Sequence, residues 1–124
     1  KIIGQEKPAG QEPQKTSLKS AKISYNDDAP AIKINEQSVA IPAYKNEHYL
    51  CRAMYEYKKD EAVDWSIIWE KMAGYDNANK PEPKKDDWHK VYDAMNAING
   101  RIKECANTND NLFTWKDKTI KRNY

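Results

Sequence analysis

The sequence predicts an α+β domain in which a short hairpin precedes three helices and a second hairpin closes the chain. Three observations carry that order. In "APAIKINEQSVAIP" the apolar residues Ile32, Ile34, Val39 and Ile41 alternate with polar ones, the period of a strand with one buried face. Val91, Met95, Ile98 and Ile102 then recur at i, i+4, i+7 and i+11, a single stripe along a helix. At the end of the chain Phe113 and Trp115 alternate with Leu112 and Thr114, and Ile120 and Tyr124 follow a charged turn.

The 124 residues suffice for one domain, and 39% hydrophobic residues allow only a modest core. Lys+Arg 21 against Asp+Glu 19 gives a net charge of +2, which does not by itself demand a polyanionic partner. No apolar run is long enough to span a bilayer and no signal-peptide pattern opens the chain, so a cytoplasmic protein is expected. The first residue is Lys1 rather than methionine, which reads as a piece of a longer protein. Cys51 and Cys105 fall in helical patterns without the spacing of a small disulfide scaffold, and are expected to be reduced. His48 and Cys51 stand at i, i+3, with His89 and Cys105 further on. A zinc site would need all four to converge while Cys51 also fits a buried apolar position, so neither metal nor cofactor is expected.

Residues 1–29 read as a flexible linker. Pro8, Gly10 and Pro13 punctuate it, large apolar residues are few, and its five lysines are nearly balanced by two glutamates and two aspartates. The domain proper is expected over residues 30–124. After the first hairpin, whose turn is "NEQS", Pro42 ends the strand. The first helix runs from Lys45 or Asn46 to Tyr57, with Tyr49, Leu50, Met54 and Tyr57 on its apolar side. The second is "VDWSIIWEKMAG", capped by Asp64 and stopped by Gly74, with Ile68, Trp69 and Met72 inward and Trp65 towards solvent. "YDNANKPEPKKDD" is a loop by composition, since Pro81 and Pro83 exclude regular structure. The third helix spans Asp86 or Asp87 to Glu104 or Cys105, crossed by Gly100 at some cost to helix propensity. The closing hairpin has Lys116, Asp117 and Lys118 at its tip.

Over about Ile32 to Tyr124 this pattern resembles the winged helix-turn-helix domain of OmpR/PhoB-type transcriptional regulators. "VDWSIIWEKMAG" is similar to that family's second helix, "DDWHKVYDAMNAINGRI" to its recognition helix, and "LFTWKDKTIKRNY" to its wing, with Thr114 and Lys121 where the family often has a threonine and a basic residue. The usual wing glycines are absent. The resemblance implies binding to double-stranded DNA, with a helix in the major groove and the wing at an adjacent groove or phosphates. It also implies a role in transcription regulation, with a homodimer or an upstream regulatory domain as partner. The residues it points to are Lys90, Asn96, Asn99, Arg101 and Lys103 on the third helix, and Lys116, Lys118, Lys121 and Arg122 on the wing. Asn96 and Asn99 are candidates for adenine edges and the cations for phosphates.

Charge argues for a second reading. Asn96, Ala97, Asn99, Gly100 and Arg101 stand where the family usually carries several cations, and Asp86, Asp87 and Asp93 repel phosphate. A winged helix used for protein contact, with little DNA affinity, is therefore the alternative. Trp65, Trp69, Trp88 and Trp115 could form a platform for unpaired bases, but Trp69 and Trp115 are read as packing residues and Trp65 as the one towards solvent. No glycine-rich phosphate loop, nucleophile elbow or convergent carboxylate pair occurs, and no enzyme is expected.

Overall fold

Alternating Ile32, Ile34 and Val39 form the buried side of a sheet, as the sequence predicts, but that sheet has a third strand. The structure, a computed structural model, describes residues 15–76 and 82–124. Strands β1 (Ile23–Asn26), β2 (Ala31–Ile34) and β3 (Gln37–Ala40) pair antiparallel in that order, with Ile32 opposite both Tyr25 and Val39. Asn35 fixes the β2–β3 turn at φ 55°, and its side chain accepts from the Lys22 amide at 3.0 Å. Asparagine tolerates this left-handed backbone better than most residues.

Strand β1 lies in the stretch that reads as linker. Upstream of it a short 3-10 turn, Leu18–Ser20, buries Leu18 to 1% exposure. The Thr16 amide donates to the Asn107 carbonyl at 2.8 Å and the Leu18 amide to Asp110 Oδ2 at 2.9 Å. Residues 15–29 therefore belong to the folded domain, which corrects the expected boundary. Pro8, Gly10, Pro13 and the loop residue Pro81 lie outside the described residues.

Helix α1 (Asn46–Met54) is shorter than its apolar spacing predicts. The amides of Glu56 and Tyr57 bond three residues back, to Ala53 and Met54, so the last turn tightens and leaves the α-helix. Helix α2 (Trp65–Asp76) follows the two-residue strand β4 (Val63–Asp64). Asp64 caps it as expected, accepting from the Ser66 amide at 3.0 Å. Gly74 does not end it. Tyr75 donates from its hydroxyl to Glu56 at 2.6 Å and packs beside Tyr49, and these tertiary contacts carry the helix past a residue that costs about 1 kcal/mol in helix propensity. Ile68, Trp69 and Met72 are buried as predicted, whereas Trp65 is half-buried against the core and Ile67 is the exposed apolar residue.

Helix α3 (Trp88–Ala106) buries Val91, Met95, Ile98 and Ile102 and ends on Asn107, a left-handed cap at φ 52°. Strands β5 (Phe113–Lys116) and β6 (Thr119–Arg122) form the closing hairpin. Its two-residue turn, Asp117 and Lys118, has φ 52° and 60°, the double left-handed geometry that matches strand twist without any glycine. Strand β4 joins the far side of β6, so the second sheet runs β4-β6-β5. Among the described residues no helix is long and apolar enough to cross a membrane.

Leu18→Ala should cost about 2–5 kcal/mol, the range for emptying a buried leucine site. Urea denaturation checks this. A loss below about 0.5 kcal/mol, typical of exposed positions, would return residues 15–22 to the linker.

Candidate nucleic-acid interface

A helix turns about 100° per residue, so α3 has distinct sides, and its neighbours identify them. Val91, Met95, Ile98 and Ile102 face the core. Trp88, Tyr92 and Asn99 face β5: the Trp115 ring lies 5.9 Å from Trp88 and 5.3 Å edge-on from Tyr92. Arg101 faces α1, where it pairs with Glu47 at 2.5 Å. His89, Asp93, Asn96, Ala97, Gly100 and Lys103 are exposed.

Asn99 is not on the open face. It is 5% exposed, its Nδ2 donates to the Phe113 carbonyl at 2.9 Å, and its Oδ1 accepts from the Phe113 amide at 3.1 Å. The carboxamide thus behaves as one residue of an extra strand, satisfying the outward-pointing polar groups of an edge strand. An adenine-reading role for Asn99 is corrected on this ground: both ends of its amide are committed inside the fold. Arg122 is also drawn inward. Its guanidinium sits 4.3 Å from the Tyr55 ring centroid, Nη2 donates to the Tyr57 carbonyl at 3.0 Å, and its buried Nε has no partner. Arg101 stays exposed, but its charge is shared with Glu47.

The remaining six predicted residues stay accessible. Lys90, Asn96 and Lys103 are exposed on α3, Lys116 and Lys118 are exposed on the hairpin, and Lys121 is half-buried. Cross-strand pairing puts Lys116 with Thr119 and Thr114 with Lys121 on the solvent side of the sheet. These four, with Ala62 and Trp115, line an open cleft of about 360 Å³. At the tip, Lys118 Nζ lies 5.7 Å from the Trp88 ring centroid, a cation–π contact joining the hairpin turn to the start of α3.

A partly exposed polar cluster that sequence reasoning did not find lies between β1 and α1, with His48 as its buried member. Asp27 accepts from Arg52 Nε at 3.1 Å, from the Tyr25 hydroxyl at 2.7 Å and from His48 Nε2 at 3.0 Å. The Tyr44 amide donates to His48 Nδ1 at 3.0 Å, which makes Nδ1 the acceptor and Nε2 the proton carrier. With both ring nitrogens engaged and the ring 1% exposed, His48 has no lone pair for a metal or for proton transfer. The Arg52 hydrogen bonds, helped by Tyr25 and His48, hold the Asp27 carboxyl down at about 2. Burial pushes the Cys51 thiol up, so it is inert; Cys105 is free and exposed. Among the described residues no three His, Cys, Asp or Glu side chains converge on a metal-sized site.

Comparison of the chain with protein-family models, with curated proteins and with solved structures gives no match. The physical arrangement of these side chains is therefore the basis for assigning a function.

Asn99→Ala should strand the Phe113 amide and carbonyl, at about 1–3 kcal/mol for each unsatisfied group. Thermal unfolding followed by circular dichroism measures the loss, and an unchanged midpoint would contradict the role of the amide. For Asp27 the folded value lies below the ordinary carboxylate value, so its contribution is present above about pH 4 and is lost as pH falls through about 2. Urea midpoints at about pH 5 and about pH 2 should therefore differ more in the unmutated protein than in Asp27→Asn. Equal differences would remove Asp27 from the account.

Proposed function

We propose that the chain binds double-stranded DNA as a winged helix-turn-helix domain, with α3 as the recognition helix and the β5–β6 hairpin as the wing. The observation that carries this reading is the docking of a cationic hairpin tip against the first turn of α3. Trp88, Trp115 and Lys118 hold the two together, so Lys116 and Lys118 stand beside an exposed helical ridge. Strand β4 supports the same reading, because it braces the hairpin from the far side of β6.

The two parts would act differently. Around the wing Lys116, Lys118 and Lys121 outnumber Asp117, and these supply phosphate attraction. On α3 the exposed charges nearly balance: Lys90 and Lys103 stand against Asp93 and Glu104. Asn96 remains the amide available to read an adenine edge. Affinity of the isolated domain is then modest, and a homodimer or an upstream regulatory domain raises it by linking two binding events. A cytoplasmic role in transcription regulation fits this mode of action.

One observation favours the second reading, a winged helix used for protein contact. With Asn99 buried and Arg101 paired to Glu47, α3 has given up two of the five groups expected to meet DNA.

A salt-dependent titration separates the two. Neutralising about four phosphates predicts binding roughly a hundred-fold weaker at about 200 mM than at about 50 mM salt. Fluorescence anisotropy with a labelled random-sequence duplex measures this. Absence of binding at the lower salt concentration would overturn the DNA reading and leave protein contact in its place.

A further inference from the structure

We propose that Lys45 and Lys90 form a second phosphate anchor, on the flank of α3 opposite the wing. The inference rests on the duplex reading above and extends it to the segment that enters α1. At about 100° per residue, Lys90, Ala97 and Arg101 lie about half a turn around α3 from Trp88, Tyr92 and Asn99. The contacts agree with this count: one side meets β5 through Trp115 and Phe113, and the other meets α1 through the Arg101–Glu47 pair. The exposed ridge of His89, Asn96 and Gly100 runs between them.

The geometry of a duplex gives this second flank a task. A helix with its side chains is about 10–12 Å across and a major groove about 12 Å wide, so a seated helix presents its flanks to the phosphates of both strands. The wing meets one strand. On the other side an open cleft of about 530 Å³ separates residues 42–47 from α3, with Lys45 on one rim and Lys90 on the other. Both lysines are exposed, and neither forms an ion pair among the described residues. Glu47 in the same cleft is matched by Arg101, so Asp93 is the acid left to oppose them. The two lysines are matched in number by Glu47 and Asp93, and the balance turns positive because Arg101, outside the cleft, neutralises Glu47.

The rim is also fixed in place. Tyr44, beside Lys45, is 72% exposed and held at φ 60°. Its amide is tied to buried His48, which is itself held by Asp27. The polar cluster between β1 and α1 thus ties down the segment carrying Lys45 through the Tyr44 amide.

The test uses the full chain and a labelled random-sequence duplex of about 20 base pairs, with affinity measured over a salt series. Lys45→Ala and Lys90→Ala should each weaken binding several-fold and make the salt dependence shallower by about one unit of slope. Lys22→Ala and Lys33→Ala, exposed on the solvent side of the N-terminal sheet, should leave both unchanged. If Lys116→Ala and Lys118→Ala flatten the slope while Lys45→Ala and Lys90→Ala do not, this inference is overturned and the duplex reading stands. If the unmutated chain does not bind at low salt, the duplex reading itself fails and the second anchor falls with it.

Discussion

The pairing of Asn99 with Phe113 is the contact on which the arrangement of the surface depends. A four-residue edge strand and a helix have no backbone hydrogen bonds to exchange, because a helix uses its own. One buried carboxamide supplies both a donor and an acceptor, at 2.9 and 3.1 Å, and fixes the hairpin to α3 in a single register. Trp88, Tyr92 and Trp115 fill the space beyond it, and Lys118 closes over Trp88 at the tip. This junction, with the pairing of β4 to β6 and the Trp88–Trp115 contact, sets where the hairpin lysines stand relative to the helix.

A second polar cluster positions the segment before α1, across the open cleft from Lys90 on α3. Asp27 gathers Arg52, His48 and Tyr25, and His48 passes the constraint to the Tyr44 amide. The segment before α1 is therefore tethered by polar contacts as well as by the apolar burial of Ile41. Arg52 also lies 4.9 Å from the Tyr75 ring centroid, so the cluster links β1, α1 and α2. One junction is buried, Asn99 with Phe113; the other is partly exposed, with His48 as its one buried member.

The helices were legible because burial leaves a periodic signature. Val91, Met95, Ile98 and Ile102 declare the inner side of α3, and Ile68, Trp69 and Met72 that of α2. Strand β1 was hidden because "ISYN" offers only two apolar residues behind a stretch rich in proline, glycine and lysine, and β4 because two residues carry no period. Gly74 is a local stop signal that the helix overrides, because the contact of Tyr75 to Glu56 is tertiary and leaves no local trace. Of the site, the wing lysines and the outer residues of α3 could be read from alternation and spacing. The fate of Asn99 could not, since an amide reaching a groove and an amide bonding a strand fall on adjacent helical positions. Asp27 and His48 are 21 residues apart, and nothing local joins them.

In the proposed function the α3 ridge and the hairpin tip form a single DNA-facing surface. Its most direct test is a titration of the isotope-labelled chain with duplex DNA, followed by amide chemical shifts. The account predicts shifts concentrated at His89, Asn96, Lys116 and Lys118, with Leu50, Ile98 and Phe113 in the core little changed. Shifts confined to the N-terminal sheet or the outer side of α2, with the ridge and the hairpin tip silent, would contradict it.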